Sequence, residues 1–153
     1  MLEAGSLAPP FELEEMGGGK RSLAEILNRG AALIAFYKIS CPVCQLALPF
    51  LERIAQGSLQ VIAISQDEEN GTAKFQQKYG LTMPTLLDRE RDRYPASNAY
   101  GITHVPSLFL IESDSRVSLA VDGFLKRDLE SLGVRAGIAP FGPGDSVPEW
   151  KPG

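Results

Sequence analysis

Two cysteines are the whole thiol inventory of this chain, and they stand together as Cys41-Pro42-Val43-Cys44. Two intervening residues put the sulfurs one helical turn apart. At that spacing one thiolate can attack a disulfide and its neighbour can then displace the product. The pair follows an apolar run over residues 31–37, where a buried strand should hand over to a helix. A helix start supplies unpaired N–H groups and the positive end of the dipole, both of which favour a thiolate at the first cysteine. Two other readings compete: half of a zinc site, and a redox-inert pair. A tetrahedral zinc centre needs about four ligands. The chain offers two cysteines and one histidine, so a closed site would require a carboxylate as well. Disulfide exchange is the chemistry this spacing points to, with neither a metal nor another cofactor expected.

Two cationic side chains are candidates to influence those thiols, Lys38 by its spacing and His104 only if the fold brings its loop beside them. Lys38 lies three residues before Cys41, and His104 is the only histidine. Either cation would stabilise a nearby thiolate. The competing readings are a surface lysine at a strand end and a solvated loop histidine.

The elements that must position these groups can be read from apolar runs and punctuation. Phe11 and Leu13 alternate in a segment over residues 9–16 that reads as a short edge strand, followed by the Gly17-Gly18-Gly19 turn. Ser22 with Glu25 three residues on is a capping box for a short helix. Residues 31–37 and 59–65 are continuous apolar runs, as parallel strands covered on both faces require. Of Phe36 and Tyr37, which alternate on the first run, one is expected in the core. A helix should begin at Pro42, a favoured first-turn residue, and run to about residue 55 with a kink at Pro49. Residues 69–79 read as a helix closed by Gly80, followed by a short strand near 85–87 and a helix over 94–100. Residues 107–111 form a third strong strand, turned by Ser113-Asp114-Ser115 into a hairpin partner over 117–121. A last helix covers 125–136. Strand–helix–strand units followed by a late hairpin imply a mixed sheet with helices on both faces.

Composition bounds the setting. At 153 residues, 44% hydrophobic and 22% charged, the chain suits one domain with a full core. A net charge of −4 without a basic block argues against nucleic-acid or anionic-membrane partners. No apolar run approaches a membrane span. The opening residues carry no basic-then-apolar leader. The expectation is a cytoplasmic protein, with the periplasm as the alternative if a signal or anchor preceded Met1. The acidic run 67–70 and the alternating-sign run 88–93 read as solvated turns. Residues 139–153 are too rich in Pro and Gly for a helix or a central strand. The expected division is a domain over 1–138 and an irregular tail over 139–153, whose Phe141 and Trp150 either pack back or mark a contact surface.

The segments Gly5-Ser6-Leu7-Ala8-Pro9-Pro10-Phe11, Phe36-Tyr37-Lys38-Ile39-Ser40-Cys41-Pro42-Val43-Cys44 and Tyr100-Gly101-Ile102-Thr103-His104-Val105-Pro106 together resemble the thioredoxin-fold redoxins, in their TlpA/ResA-like and AhpC/TSA-like branch. The resemblance covers roughly residues 5–136. It implies a thioredoxin-like three-layer α/β/α sandwich with a central mixed sheet and a late β-hairpin, acting as a thiol–disulfide oxidoreductase. By it, Cys41 is the attacking nucleophile and Cys44 the resolving thiol. Pro106 is a cis-proline facing them, while Val105, Pro42 and Val43 contact the substrate. The implied partners are a protein or small-molecule disulfide and an external thiol reductant. Two departures stand out: Ala35 and Ala47 occupy positions where relatives carry a carboxylate that moves the buried thiol's proton. Ser40 replaces a common tryptophan. A thiol peroxidase is the first alternative, although its P-x-x-x-T-x-x-C pattern would need proline at Ile34 and threonine at Lys38. A redox-inert binding module is the second.

Overall fold

The computed structural model describes residues 1–153, and its centre is a seven-stranded mixed sheet. The two longest apolar runs form β3 (Ala32–Tyr37) and β4 (Gln60–Ser65), which pair in parallel from Ala32↔Gln60 to Tyr37↔Ser65. Between them runs α2 (Pro42–Ala55), continuous through Pro49. β5 (Thr85–Leu87) extends the parallel set beyond β4, after α3 (Glu69–Tyr79) has crossed over. On the other side of β3 lies antiparallel β6 (Ser107–Ile111), which leads through a turn into β7 (Val117–Asp122). The strand order is β2-β1-β5-β4-β3-β6-β7, with β1 spanning Glu12–Glu15 and β2 Lys20–Ser22.

Helices cover both faces, as the continuous apolar character of β3 and β4 demands. One face carries α2, α3 and α5 (Lys126–Ala136), packed on Leu33, Ala35 and Tyr37 with Leu48, Leu51 and Leu132. The other carries α1 (Leu23–Leu27) and α4 (Pro95–Ala99), packed on Ile34, Phe36 and Phe109. The fold is therefore a three-layer α/β/α sandwich with a mixed sheet. The alternation in β3 buries Phe36 and Tyr37 on opposite faces, so both are core rather than one.

The structure corrects several local expectations. The strand near the N-terminus is not an edge, because the triple-glycine turn folds Lys20–Ser22 back against it and β2 takes the edge. The run 88–93 is not simply solvated: Asp88 and Arg89 are buried, and Glu90–Asp92 forms a 3₁₀ turn. Arg89 keeps its charge inside by pairing with Glu14 at 3.1 Å, Asp92 at 3.2 Å and Glu69 at 3.4 Å. A buried charge is tolerated only with such partners, and two of the three come from other elements.

Residues 139–153 fold back on the body. Phe141 packs against Phe50 in a tilted pair, 4.7 Å between centroids, and lies 6.3 Å from Phe124. Arg53 donates to the Pro140 carbonyl and pairs with Asp145 at 2.7 Å. The segment ends in a two-residue strand, β9 (Trp150–Lys151), antiparallel to β8 (Phe124–Leu125). No helix is long and apolar enough to cross a membrane.

Candidate active site

β3 and β4 end side by side, and the chain leaves β3 through Lys38-Ile39-Ser40 into the first turn of α2. Asp67, just beyond β4, fixes this loop by accepting the Ile39 N–H at 2.8 Å. The Lys38 carbonyl accepts the Cys41 N–H at 3.2 Å. Cys41 is then the N-cap of α2, with Pro42 at the first helical position. Its Sγ accepts the Cys44 N–H at 3.1 Å, so the sulfur fills the capping role that a serine or aspartate oxygen usually takes.

Both cysteines are free thiols; Cys41 is half-buried and Cys44 is wholly buried. Burial pushes the Cys44 thiol well above its ordinary range, and its hydrogen bond with the Cys41 side chain pushes the same way. A backbone hydrogen bond at Lys38 acts in the opposite direction. The two sulfurs thus differ in access: one is presented to solvent at the helix start, and the other is sealed beneath it.

The second wall comes from the loop before β6. The Val105–Pro106 peptide bond is cis, and the Val105 carbonyl accepts the Cys41 S–H at 3.4 Å. A cavity of about 450 Å³ opens beside this contact. Cys41, Pro42, Lys38, His104 and Val105 all line it, so most residues singled out from sequence meet there. Val43 does not; it packs half-buried against the core. Pro106 is buried behind Val105. His104 is exposed, with Nδ1 3.0 Å from the Thr103 hydroxyl and 3.9 Å from Asp122. The Lys38 ammonium lies 5.8 Å from the centre of the Tyr94 ring. Ala35 and Ala47 are both buried and bring no ionisable group to the thiols.

Sequence reading missed five contributors to the cavity wall: Gln66, Tyr94, Ser97, Asn98 and Gly153. For Gln66, and for Asp67 beneath the loop, a usable signal existed. Ligand sites in open α/β sheets form beyond the carboxyl ends of the parallel strands, and both residues follow β4. Tyr94 is held in left-handed conformation (φ 48°), an uncommon one for an aromatic residue, which local sequence does not announce. It precedes α4, whose first N–H groups are satisfied by buried Asp88: Ala96 N–H donates at 2.9 Å and Ser97 N–H at 2.7 Å.

The thiol–disulfide oxidoreductase ResA of Geobacillus thermodenitrificans is 28% identical over 141 residues, covering 86% of this chain and 79% of that protein. ResA of Bacillus subtilis is 25% identical over 133 residues, 84% of this chain and 72% of that protein. Among solved structures, the thioredoxin domain of a thiol-disulfide oxidoreductase from Bacteroides vulgatus superposes with a TM-score of 0.77 at 18% identity, covering 88% of this chain and 98% of that domain. Peroxidoxin BcpB of Mycobacterium tuberculosis gives 0.72 at 19% identity, over 89% of this chain and 94% of that one. Both likenesses establish the thioredoxin fold. Residues 4–120, which carry the paired thiols and the Val105–Pro106 loop alike, match the AhpC/TSA family, and the chain belongs to that family as a thioredoxin-fold redoxin similar to TlpA and ResA.

Proposed function

We propose that this chain is a thiol–disulfide oxidoreductase working through Cys41 and Cys44. The observation that carries the reading is the Cys41 sulfur at the N-cap of α2. It receives the Cys44 N–H at 3.1 Å and opens to a cavity, while Cys44 is sealed one turn below. Negative charge that collects on Cys41 during exchange meets that N–H and the positive end of the helix.

Cys41 thiolate attacks one sulfur of a substrate disulfide, forming a mixed disulfide and releasing one substrate thiolate. Cys44 then attacks the Cys41 sulfur, closing the Cys41–Cys44 disulfide and releasing the second thiolate. The Cys44 proton leaves with a departing thiolate, and two electrons pass from protein to substrate. An external thiol reductant restores the pair. Val105 and Pro42 border the approaching substrate, Pro106 backs Val105, and Lys38 and His104 stand as nearby cations. Val43 acts from beneath, through the packing of the first turn.

The test is equilibration of the protein in thiol buffers of defined potential, with the Cys41–Cys44 state read by alkylation and mass. A single two-electron transition is expected. A midpoint near about −270 mV marks a reductase for a reducing compartment such as the cytoplasm, and one near about −120 mV marks an oxidant of periplasmic type. Failure to form a reversible intramolecular disulfide sinks the proposal. The peroxidase alternative lacks support at the site, since Ile34 is buried in β3 and Lys38 occupies the threonine position. Rapid peroxide turnover lost in Cys41→Ser would reinstate it.

A further inference from the structure

The tail reaches the thiols. After Phe141 has anchored it against Phe50 and Phe124, the chain runs beside β8, with the Lys126 N–H donating to the Glu149 carbonyl at 3.0 Å. At Gly123 the approach is so close that a Cβ would lie 2.5 Å from the Lys151 carbonyl oxygen. Gly123 is also at φ 85°, so two constraints demand glycine where the tail crosses. The crossing ends at the active site. A Cβ on Gly153 would lie 2.7 Å from the Val105 carbonyl oxygen, the same atom that accepts the Cys41 S–H at 3.4 Å. Gly153 thereby walls the cavity beside Cys41.

That position bears on what can reach Cys41. A mixed disulfide holds the two Cα atoms about 4.4–6.8 Å apart, so a polypeptide substrate must lay its backbone alongside the Cys41–Val105 contact. A small disulfide brings no such backbone and can enter from the cavity side, past Lys38 and Tyr94. The tail is also unevenly fastened. Ile138, Phe141 and Val147 pack on the core, whereas residues 149–153 are all exposed, Trp150 by 58%, and β9 holds them by its short pairing with β8. Segments with few buried contacts and exposed backbone hydrogen bonds open at low free energy.

We propose that residues 150–153 form a specificity strap that lies where a polypeptide disulfide must dock, leaving small disulfides free access to Cys41. The inference rests on the oxidoreductase reading above. In the antiparallel alternation Lys126 and Glu149 are a hydrogen-bonded pair, which makes Phe124 and Lys151 the next such pair. Lys151→Pro removes an N–H from that pair and leaves the anchored part of the tail intact, while Lys151→Ala retains the N–H.

The experiment compares the unaltered 153-residue protein, Lys151→Pro and Lys151→Ala on insulin and on oxidised β-mercaptoethanol. The expected result is about a three-fold or greater rise in kcat/KM for insulin in Lys151→Pro alone, with the small-disulfide rate unchanged. An unchanged insulin rate, or an equal rise on both substrates, overturns the strap. Inactivity of wild type on both substrates instead defeats the oxidoreductase reading. A second readout does not depend on the variant's folding. Trp150 is the only tryptophan, so its emission reports the tail directly. Joining a cysteine peptide to Cys41 in the Cys44→Ser protein should red-shift that emission and raise its acrylamide quenching. Emission that is the same with the peptide and with β-mercaptoethanol overturns the strap as well.

Discussion

Replacing Asp88 by Asn tests whether one buried carboxylate organises the outer wall of the active-site cavity. Asp88 is fully buried, and three donors converge on it. The Ala96 N–H reaches Oδ1 at 2.9 Å, and the Ser97 N–H and hydroxyl reach Oδ2 at 2.7 and 2.5 Å. Those N–H groups belong to the first turn of α4, where Tyr94 offers no side-chain cap and Pro95 has no N–H. Asparagine can keep the two Ser97 bonds through its oxygen, but its NH₂ then faces the Ala96 N–H. One hydrogen bond to a charged acceptor, worth about 1.5–3 kcal/mol, becomes a donor–donor contact, and the remaining two lose their charge assistance. Burying a neutral amide in place of a carboxylate offsets part of the loss. The net cost is about 2–3 kcal/mol, or roughly 4–12 °C in Tm for a domain of this size. Thermal unfolding of the reduced proteins measures it directly. A shift below about 2 °C would refute the assignment of Asp88 as the organiser of this wall. At 20 °C, exchange with a small disulfide should change by less than about three-fold, because Cys41 and Val105 are carried by other elements.

Two further perturbations follow from the same reasoning. Cys41→Ala removes the N-cap acceptor of α2 and should lower stability by about 1 kcal/mol, whereas Cys41→Ser should retain it; equal melting temperatures for the two reduced variants would remove the capping role. Arg135 pairs with Glu112 through contacts of 2.6 and 2.7 Å and holds its carboxyl down from the ordinary 4.5 to about 2. With the folded pKa depressed, this stabilisation is complete above about pH 4.5 and is lost as pH falls through about 2. Solvent at the exposed Arg135 limits it to about 1 kcal/mol. Glu112→Gln should therefore lower the melting temperature at pH 7 by a few degrees and leave it nearly unchanged near pH 2; an equal shift at both values contradicts the pairing.

The parts of this fold legible in sequence are those specified locally. β3, β4 and β6 announce themselves as apolar runs, and the Ser22–Glu25 box and Gly80 mark helix ends by short-range chemistry. What escaped reading depends on distant partners. Lys20–Ser22 has no strand signal of its own; it becomes a strand because three glycines return it to β1. Arg89 sits in a run of alternating charge, and beside nearby Asp92 it needs Glu14 and Glu69, far away in sequence, to go inside. The active site divides in the same way. Cys41 and Cys44 carry their meaning in their spacing, whereas Val105 and Pro106 could be placed opposite them only through resemblance. Tyr94 and Gly153 reach the cavity through tertiary packing and gave no signal.

The two missing carboxylates narrow how the buried thiol can react. An acid at position 35 or 47 would sit in a fully buried environment, where a charge is costly without a partner; alanine removes that cost and also removes the internal base. Asp67 does not replace it, because its negative charge raises the Cys44 pKa further while one of its oxygens holds the Ile39 N–H. The polar groups that engage Cys44 are the Cys41 side chain and the backbone at Lys38. The contact with the Cys41 side chain leads outward, toward the cavity. In the exchange proposed above, Cys44 would give up its proton to a thiolate departing beside Cys41.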